Sequence, residues 1–126
     1  MRAAEWKKFE QKIQDKRPEF QIFMDGIESF FKIKNLSIDG HNAIHSTKKR
    51  MKEISHIREK IDRKRKDGRN INLENFLFEL TDLVGVRLLL LFQNDFSVID
   101  DAIREKIHNN DWVLNEKPKC LTENEL

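Results

Sequence analysis

Asp82-Leu83-Val84-Gly85-Val86-Arg87-Leu88-Leu89-Leu90-Leu91-Phe92 contains the clearest strand signal in the chain. From Val86 to Phe92 every residue except Arg87 is apolar, the pattern of a central strand covered on both faces. Arg87 is a charge in a segment otherwise suited to burial, and it needs a partner. Gly85 allows close backbone packing or the approach of a ligand. Asp82 falls at the entry rim of the strand. A carboxylate there is a natural Mg²⁺ ligand, since Mg²⁺ binds through one or two carboxylates plus substrate phosphates. It reads equally as a turn residue or as the partner of Arg87.

Downstream of this strand, Asn94 or Asp95 can cap a helix bearing Val98, Ile99, Ala102, Ile103 and Ile107. Trp112 to Leu114 starts a further strand before a polar tail around Lys117-Pro118-Lys119. Upstream, Asn72 is an N-cap for a short helix with Leu73, Phe76, Leu77 and Leu80. Lys64 to Ile71, with Asp67-Gly68, is a basic loop. Glu53 to Arg65 is rich in helix formers and puts Ile54, Ile57 and Ile61 on one side. His41 to Lys49 reads as a strand and Leu36 to Gly40 as a turn.

Two helices open the chain. Trp6, Phe9 and Ile13 recur at helical spacing until Arg17-Pro18 interrupts them, and Pro18 suits the first turn of a second helix. Phe20, Phe23, Met24, Ile27, Phe30 and Phe31 then form one apolar stripe, which reads as core. The fold class is therefore α+β (α/β): N-terminal helices over residues 1–40, then a layered core over residues 41–126, in one domain.

At 126 residues, with 38% apolar and 37% charged residues, the chain is polar but has core material for one domain. The lone Cys120 excludes an internal disulfide and a multi-thiolate metal site. No charged-then-apolar leader opens the chain and no apolar run approaches membrane-spanning length, so the expected location is cytoplasmic, with no membrane partner. The net charge of +2 is unevenly spread: Ser46 to Asn70 holds 11 Lys or Arg against 4 Asp or Glu. That stretch is a candidate polyanion site, or a solvated helix face beside a charged loop.

Within it lie Arg50, Lys52, His56 and Lys60. With a helix beginning just after Arg50, Lys52, His56 and Lys60 fall four apart on one helix face, opposite the isoleucines. Cations near a helix N-terminus suit a polyphosphate, because fixed charge and free backbone N–H groups act together. Arg50 adds a guanidinium that stacks on a base or forks onto a phosphate. His41, His45 and His108 form no metal set. Lys48 and Lys49 add positive field without being ligands.

Taken in order, the two stretches resemble the RelA/SpoT family of alarmone synthetases. Arg50-Met51-Lys52-Glu53-Ile54-Ser55-His56-Ile57-Arg58-Glu59-Lys60-Ile61 is similar, without a gap, to the family's first synthetase motif, with His56 where Ser is usual. Asp82-Leu83-Val84-Gly85-Val86-Arg87 resembles its Asp-x-x-Gly-x-Arg strand entry, followed by the apolar run and Asp95. The resemblance spans about residues 41–115. It implies a nucleotidyltransferase-like mixed sheet with flanking helices, and transfer of the β,γ-pyrophosphate of ATP to the 3′-hydroxyl of GDP or GTP.

By the same resemblance Arg50 stacks on adenine, Lys52 and Lys60 hold ATP phosphates, and Asp82 is the catalytic Mg²⁺ ligand; His56, at an ATP-binding position where Ser is usual, either donates to phosphate when protonated or is a structural histidine. Some relatives are implied to use tRNA as acceptor. A homo-oligomer is compatible with the pattern. The family's second acidic residue and guanine-holding segment are not found after Trp112, so the expected entity is the ATP-binding front of a longer enzyme. Two other functions fit the sequence: a nucleic-acid-binding module using Lys48 to Arg69, and a regulatory domain of the same fold without turnover.

Overall fold

The structure, a computed structural model, describes residues 1–33, 36–38 and 40–114. Its elements run α1 (Ala3–Ile33), β1 (Ser37–Ile38), β2 (His41–Asn42), β3 (Ser46–Met51), α2 (Ile54–Lys66), α3 (Phe76–Glu79), β4 (Val84–Leu89) and α4 (Asp95–His108). The fold is α+β, as expected. β1 pairs antiparallel with β2, and Gly40 sits at the turn with φ +81°, a left-handed conformation that favours glycine. The expected turn over Leu36–Gly40 is thus the start of this small hairpin. β3 pairs antiparallel with β4, from Ser46↔Leu89 to Met51↔Val84.

The two expected N-terminal helices are one. α1 runs 31 residues straight through Pro18, although an internal proline costs about 3 kcal/mol. Packing decides the matter. Trp6, Ile13, Phe20 and Ile27 recur every seven residues across Pro18, so the apolar stripe stays in phase. Five α1 side chains (Trp6, Phe9, Ile13, Met24 and Phe31) are buried, at roughly 1.5–3 kcal/mol each, which outweighs the proline. Phe23, read as core, is instead 56% exposed.

α1 joins two hydrophobic clusters. Its N-terminal half packs Trp6, Phe9 and Ile13 on Ile57 and Ile61 of α2 and on Ile71, Phe76, Leu80 and Leu83. Phe9 meets Phe76 edge-on, with ring centroids 4.9 Å apart. The C-terminal half puts Phe31 with Leu36, Ala43 and the α4 residues Ile99 and Ala102, and Leu88 of β4 packs against this group.

β4 departs from the expected strand covered on both faces. Its burial alternates: Val84, Val86 and Leu88 are half-buried, while Gly85, Arg87 and Leu89 are exposed. Among the described residues β4 has β3 as its one paired neighbour, and only one face is covered. The apolar excess of the sequence therefore stands in the open, with Leu89 at 51%, Leu91 at 63% and Phe92 at 56% exposed.

Local chemistry moves other boundaries by a few residues. Asn72 acts one step earlier than a cap: its side-chain oxygen accepts from the backbone N–H groups of Glu74 and Asn75, and Asn75 holds the N-cap position of α3. The basic loop begins late, because α2 continues to Lys66. The Arg65 guanidinium then pins the return of the chain by donating to the Ile71 carbonyl at 2.7 and 2.9 Å. Trp112 forms no strand; it packs on the rings of Phe30 and Phe31, and Val113 and Leu114 are exposed. The tail around Lys117-Pro118-Lys119, and Cys120, lie outside the described residues.

Candidate functional site

The site is built on the period-two geometry of the β3–β4 ribbon. Alternation along β3 sends Thr47, Lys49 and Met51 to the covered side and Lys48 and Arg50 to the open side. On the covered side the Lys49 ammonium reaches Asp25 at 2.6 Å and Glu28 at 3.3 Å, and the Thr47 hydroxyl donates to Glu28. Hydrogen bonds from these partners hold Asp25 and Glu28 below their ordinary carboxylate values. The charge of Lys49 is thereby spent on joining β3 to α1.

On the open side Lys48 lies opposite Arg87, and Arg50 lies opposite Gly85. Arg50 and Arg87 are diagonal neighbours across the strand pair, where spacings run about 7–8 Å. A methyl carbon placed on Gly85 would meet nothing within 4 Å. The glycine therefore does not serve tight packing; it keeps the floor of this face clear.

The ribbon ends at the acidic residue. The Lys52 N–H donates to the Leu83 carbonyl at 2.8 Å, which carries the pairing one step past β3 and sets Lys52 beside Asp82. The Lys52 ammonium donates to Asp82 Oδ2 at 2.7 Å, and Lys60, from the second turn of α2, donates to Oδ1. Ile57 and Ile61, buried on either side of Lys60 in sequence, fix the rotation of α2 that makes this reach possible. Burial tends to raise the Asp82 pKa. The hydrogen bonds and charges of the two lysines outweigh it and hold the carboxyl at about 2, against an ordinary 3.8.

Together these residues frame a cleft of about 400 Å³ lined by Lys48, Arg50, Lys52, Asp82, Arg87 and the backbone from Val84 to Val86, a volume typical of small-molecule sites. Four lining cations, Lys48, Arg50, Lys52 and Arg87, face one carboxylate, and Lys60 holds that carboxylate from outside the lining. Sequence reasoning placed Arg50, Lys52, Lys60 and Asp82 near one another, and they converge. It expected Lys52 on the helix, but Lys52 precedes α2 and reaches Asp82 from the strand end. His56 is exposed on the first turn of α2 and is not among the cleft-lining residues.

Arg87 is the functional candidate that the pattern understated. The expected alternative pairing of Arg87 with Asp82 does not form; Arg87 stands on the open face. A period-two reading of residues 84–89, in place of an all-buried one, would have put it there. His41, by contrast, has a structural partner. Its Nε2 lies 2.9 and 3.0 Å from the two oxygens of Asp95, which is 1% exposed. The buried carboxylate that opens α4 is thus paired, as burial requires, and His41 ties the β1–β2 hairpin to that helix. His45 and His108 are exposed.

The donor set at Asp82 is compatible with Mg²⁺. The ion prefers hard oxygen donors, takes one or two carboxylates, and completes its shell with water and phosphate oxygens. Two ammonium groups already sit against the Asp82 oxygens, so the position accepts positive charge. Among the described residues no group of three His, Cys, Asp or Glu could hold a metal by itself.

Lys49, Lys52, Lys60 and Arg65 are in ion pairs, and Arg58 lies over the Trp6 ring. Among the described residues no helix is long and apolar enough to cross a membrane.

No family model matches the chain, and no curated protein matches it. Among solved structures it is similar to the crystal structure of the small alarmone synthetase 1 from Bacillus subtilis bound to its product pppGpp. The identity is 22% and the TM-score 0.48, over 75% of this chain and 47% of that one. The chain thus spans about half the length of that synthetase.

Proposed function

We propose that this chain is the ATP-binding part of a nucleotide pyrophosphokinase, which transfers the β,γ-pyrophosphate of ATP to the 3′-hydroxyl of GDP or GTP to make (p)ppGpp. The supporting observation is the convergence of Lys52 and Lys60 on Asp82 at the end of an open ribbon face that carries Arg50 and Arg87. Arg50 and Arg87, diagonal neighbours on the open ribbon face, offer two guanidinium groups that can take the two faces of one flat base. The triphosphate then extends toward the lysines. Lys52 and Lys60 hold its oxygens, and Lys48 adds field from the rim.

Asp82 is the residue that would hold Mg²⁺, whose role when bound is to neutralise charge on the β- and γ-phosphates. In such transfers the protein mainly positions reactants and offsets charge, and the four lining cations together with Lys60 are suited to that work. Activation of the attacking hydroxyl needs a base. Both Asp82 oxygens are engaged by Lys52 and Lys60 and in this reading turn to Mg²⁺, so that role is assigned to another part of the complete protein. The acceptor-binding surface is assigned there too, with GDP, GTP or a tRNA end as candidate acceptors and the cytoplasm as the site of action.

The test is direct. Labelled ATP supplied with GDP, GTP or tRNA to the full-length protein should yield one pyrophosphorylated acceptor. Asp82→Asn should reduce that product by at least about 100-fold, as loss of a central electrostatic group does, with the circular dichroism spectrum unchanged. Undiminished product from that variant rejects the assignment.

A further inference from the structure

We infer that Lys52, Lys60 and Asp82 form a lock that admits a triphosphate and a divalent metal only together, so that the cleft discriminates against metal-free nucleotide. Resting on the nucleotide assignment above, this goes beyond it by stating which chemical form of the nucleotide binds. Both Asp82 oxygens are engaged, Oδ2 by Lys52 at 2.7 Å and Oδ1 by Lys60. The two lysine side chains are only 13% and 14% exposed, while Asp82 is 50% exposed. The cations that a phosphate needs are therefore enclosed behind their own counter-ion, and that counter-ion faces the cleft.

Each ligand alone meets a penalty. A metal-free triphosphate must draw both ammonium groups off Asp82. It then leaves a bare carboxylate beside phosphate oxygens of the same sign, a destabilising juxtaposition. A bare divalent ion on Asp82 must displace, or sit against, two ammonium groups. With both present, the lysines would turn to the phosphates on their flexible stems, and Asp82 would be left free to hold the metal. Each ligand removes the cost met by the other, and by linkage the coupling is reciprocal.

The lock has a consequence that a simple metal-ligand role for Asp82 lacks: removing the carboxylate should improve binding of metal-free nucleotide. The chain is titrated calorimetrically with ATP, in EDTA and in Mg²⁺, as wild type, Asp82→Asn and Asp82→Ala. In wild type, Mg²⁺ should tighten ATP binding about tenfold or more, within the usual range for coupled ligands. In both variants metal-free ATP should bind about tenfold more tightly than to wild type, and Mg²⁺ should add less than about threefold.

Equal metal-free affinity in wild type and both variants, with ATP still bound, overturns the lock and leaves the nucleotide assignment standing. Absence of ATP binding in every titration overturns both.

Discussion

Arg87 lies on the open face of β4, opposite Lys48 and diagonal to Arg50. Its side chain meets the cleft rather than the core, so its loss should be felt in binding and not in folding. Exposed substitutions of this kind usually change stability by less than about 0.5 kcal/mol. A guanidinium stacked on a flat π-face is worth about 0.5–2 kcal/mol. Arg87→Ala should therefore weaken binding of a nonhydrolysable ATP analogue in Mg²⁺ by roughly threefold to thirtyfold, with an unchanged denaturation midpoint. His56 is the control. It is exposed on α2 outside the cleft lining, and His56→Ala should change the same affinity by less than about threefold, a difference under 1 kcal/mol. A fluorescence titration of the two variants side by side checks both. An Arg87 variant that binds like wild type would remove the base from between the two arginines.

At the scale of elements, the residues that were legible from sequence are those whose pattern is enforced locally. α2 was expected over Glu53–Arg65 and runs Ile54–Lys66, because Ile54, Ile57 and Ile61 share a face under any helical reading. The neighbourhood of Arg50, Lys52, Lys60 and Asp82 followed from the two motifs, and the coordinates bring the four together. What was not legible depended on neighbours. Two-residue strands such as β1 and β2 are shorter than any periodic signal. The exposure of Gly85, Arg87 and Leu89 depends on how many faces of β4 are covered, which its own apolar run does not encode. The continuity of α1 through Pro18 is a tertiary effect overriding a local one. It carries its own expectation: Pro18 is exposed inside a formed helix, so Pro18→Ala restores a helical hydrogen-bond donor without disturbing packing. Because proline also stiffens the unfolded chain, the net gain should be about 1–2 kcal/mol, below the full helix-interior penalty of about 3. Urea denaturation measures it, and a destabilised variant would mean that the proline is used by the native helix.

Across the whole molecule, α1 spans about 46 Å at 1.5 Å per residue and is the shared wall of two cores. Only one of the cores supports the site. The cluster of Trp6, Phe9, Ile13, Ile57, Ile61, Ile71, Phe76, Leu80 and Leu83 lies directly under Lys60 and under the Leu83 carbonyl that holds Lys52. The cluster of Phe31, Leu36, Ala43, Ile99 and Ala102 supports α4 and the far end of β4, near Leu88. Ile61 is 0% and Ile99 4% exposed, so truncating either to alanine removes similar buried volume and should cost a similar 2–5 kcal/mol or so. Their effects on binding should separate. Ile61→Ala loosens the turn of α2 next to Lys60, and displacing this proposed phosphate ligand by about 1 Å is a large loss in a site that works by positioning. Ile99→Ala relaxes α4, which contributes no residue to the cleft lining. At a temperature where both variants remain folded, ATP-analogue affinity in Mg²⁺ should fall about tenfold or more for Ile61→Ala, a loss of at least about 1.4 kcal/mol. For Ile99→Ala it should stay within about threefold, despite equal loss of denaturation free energy. Equal losses of affinity would mean that the two clusters relax as one body along α1, and that the cleft is held by the whole fold rather than by the core beneath it.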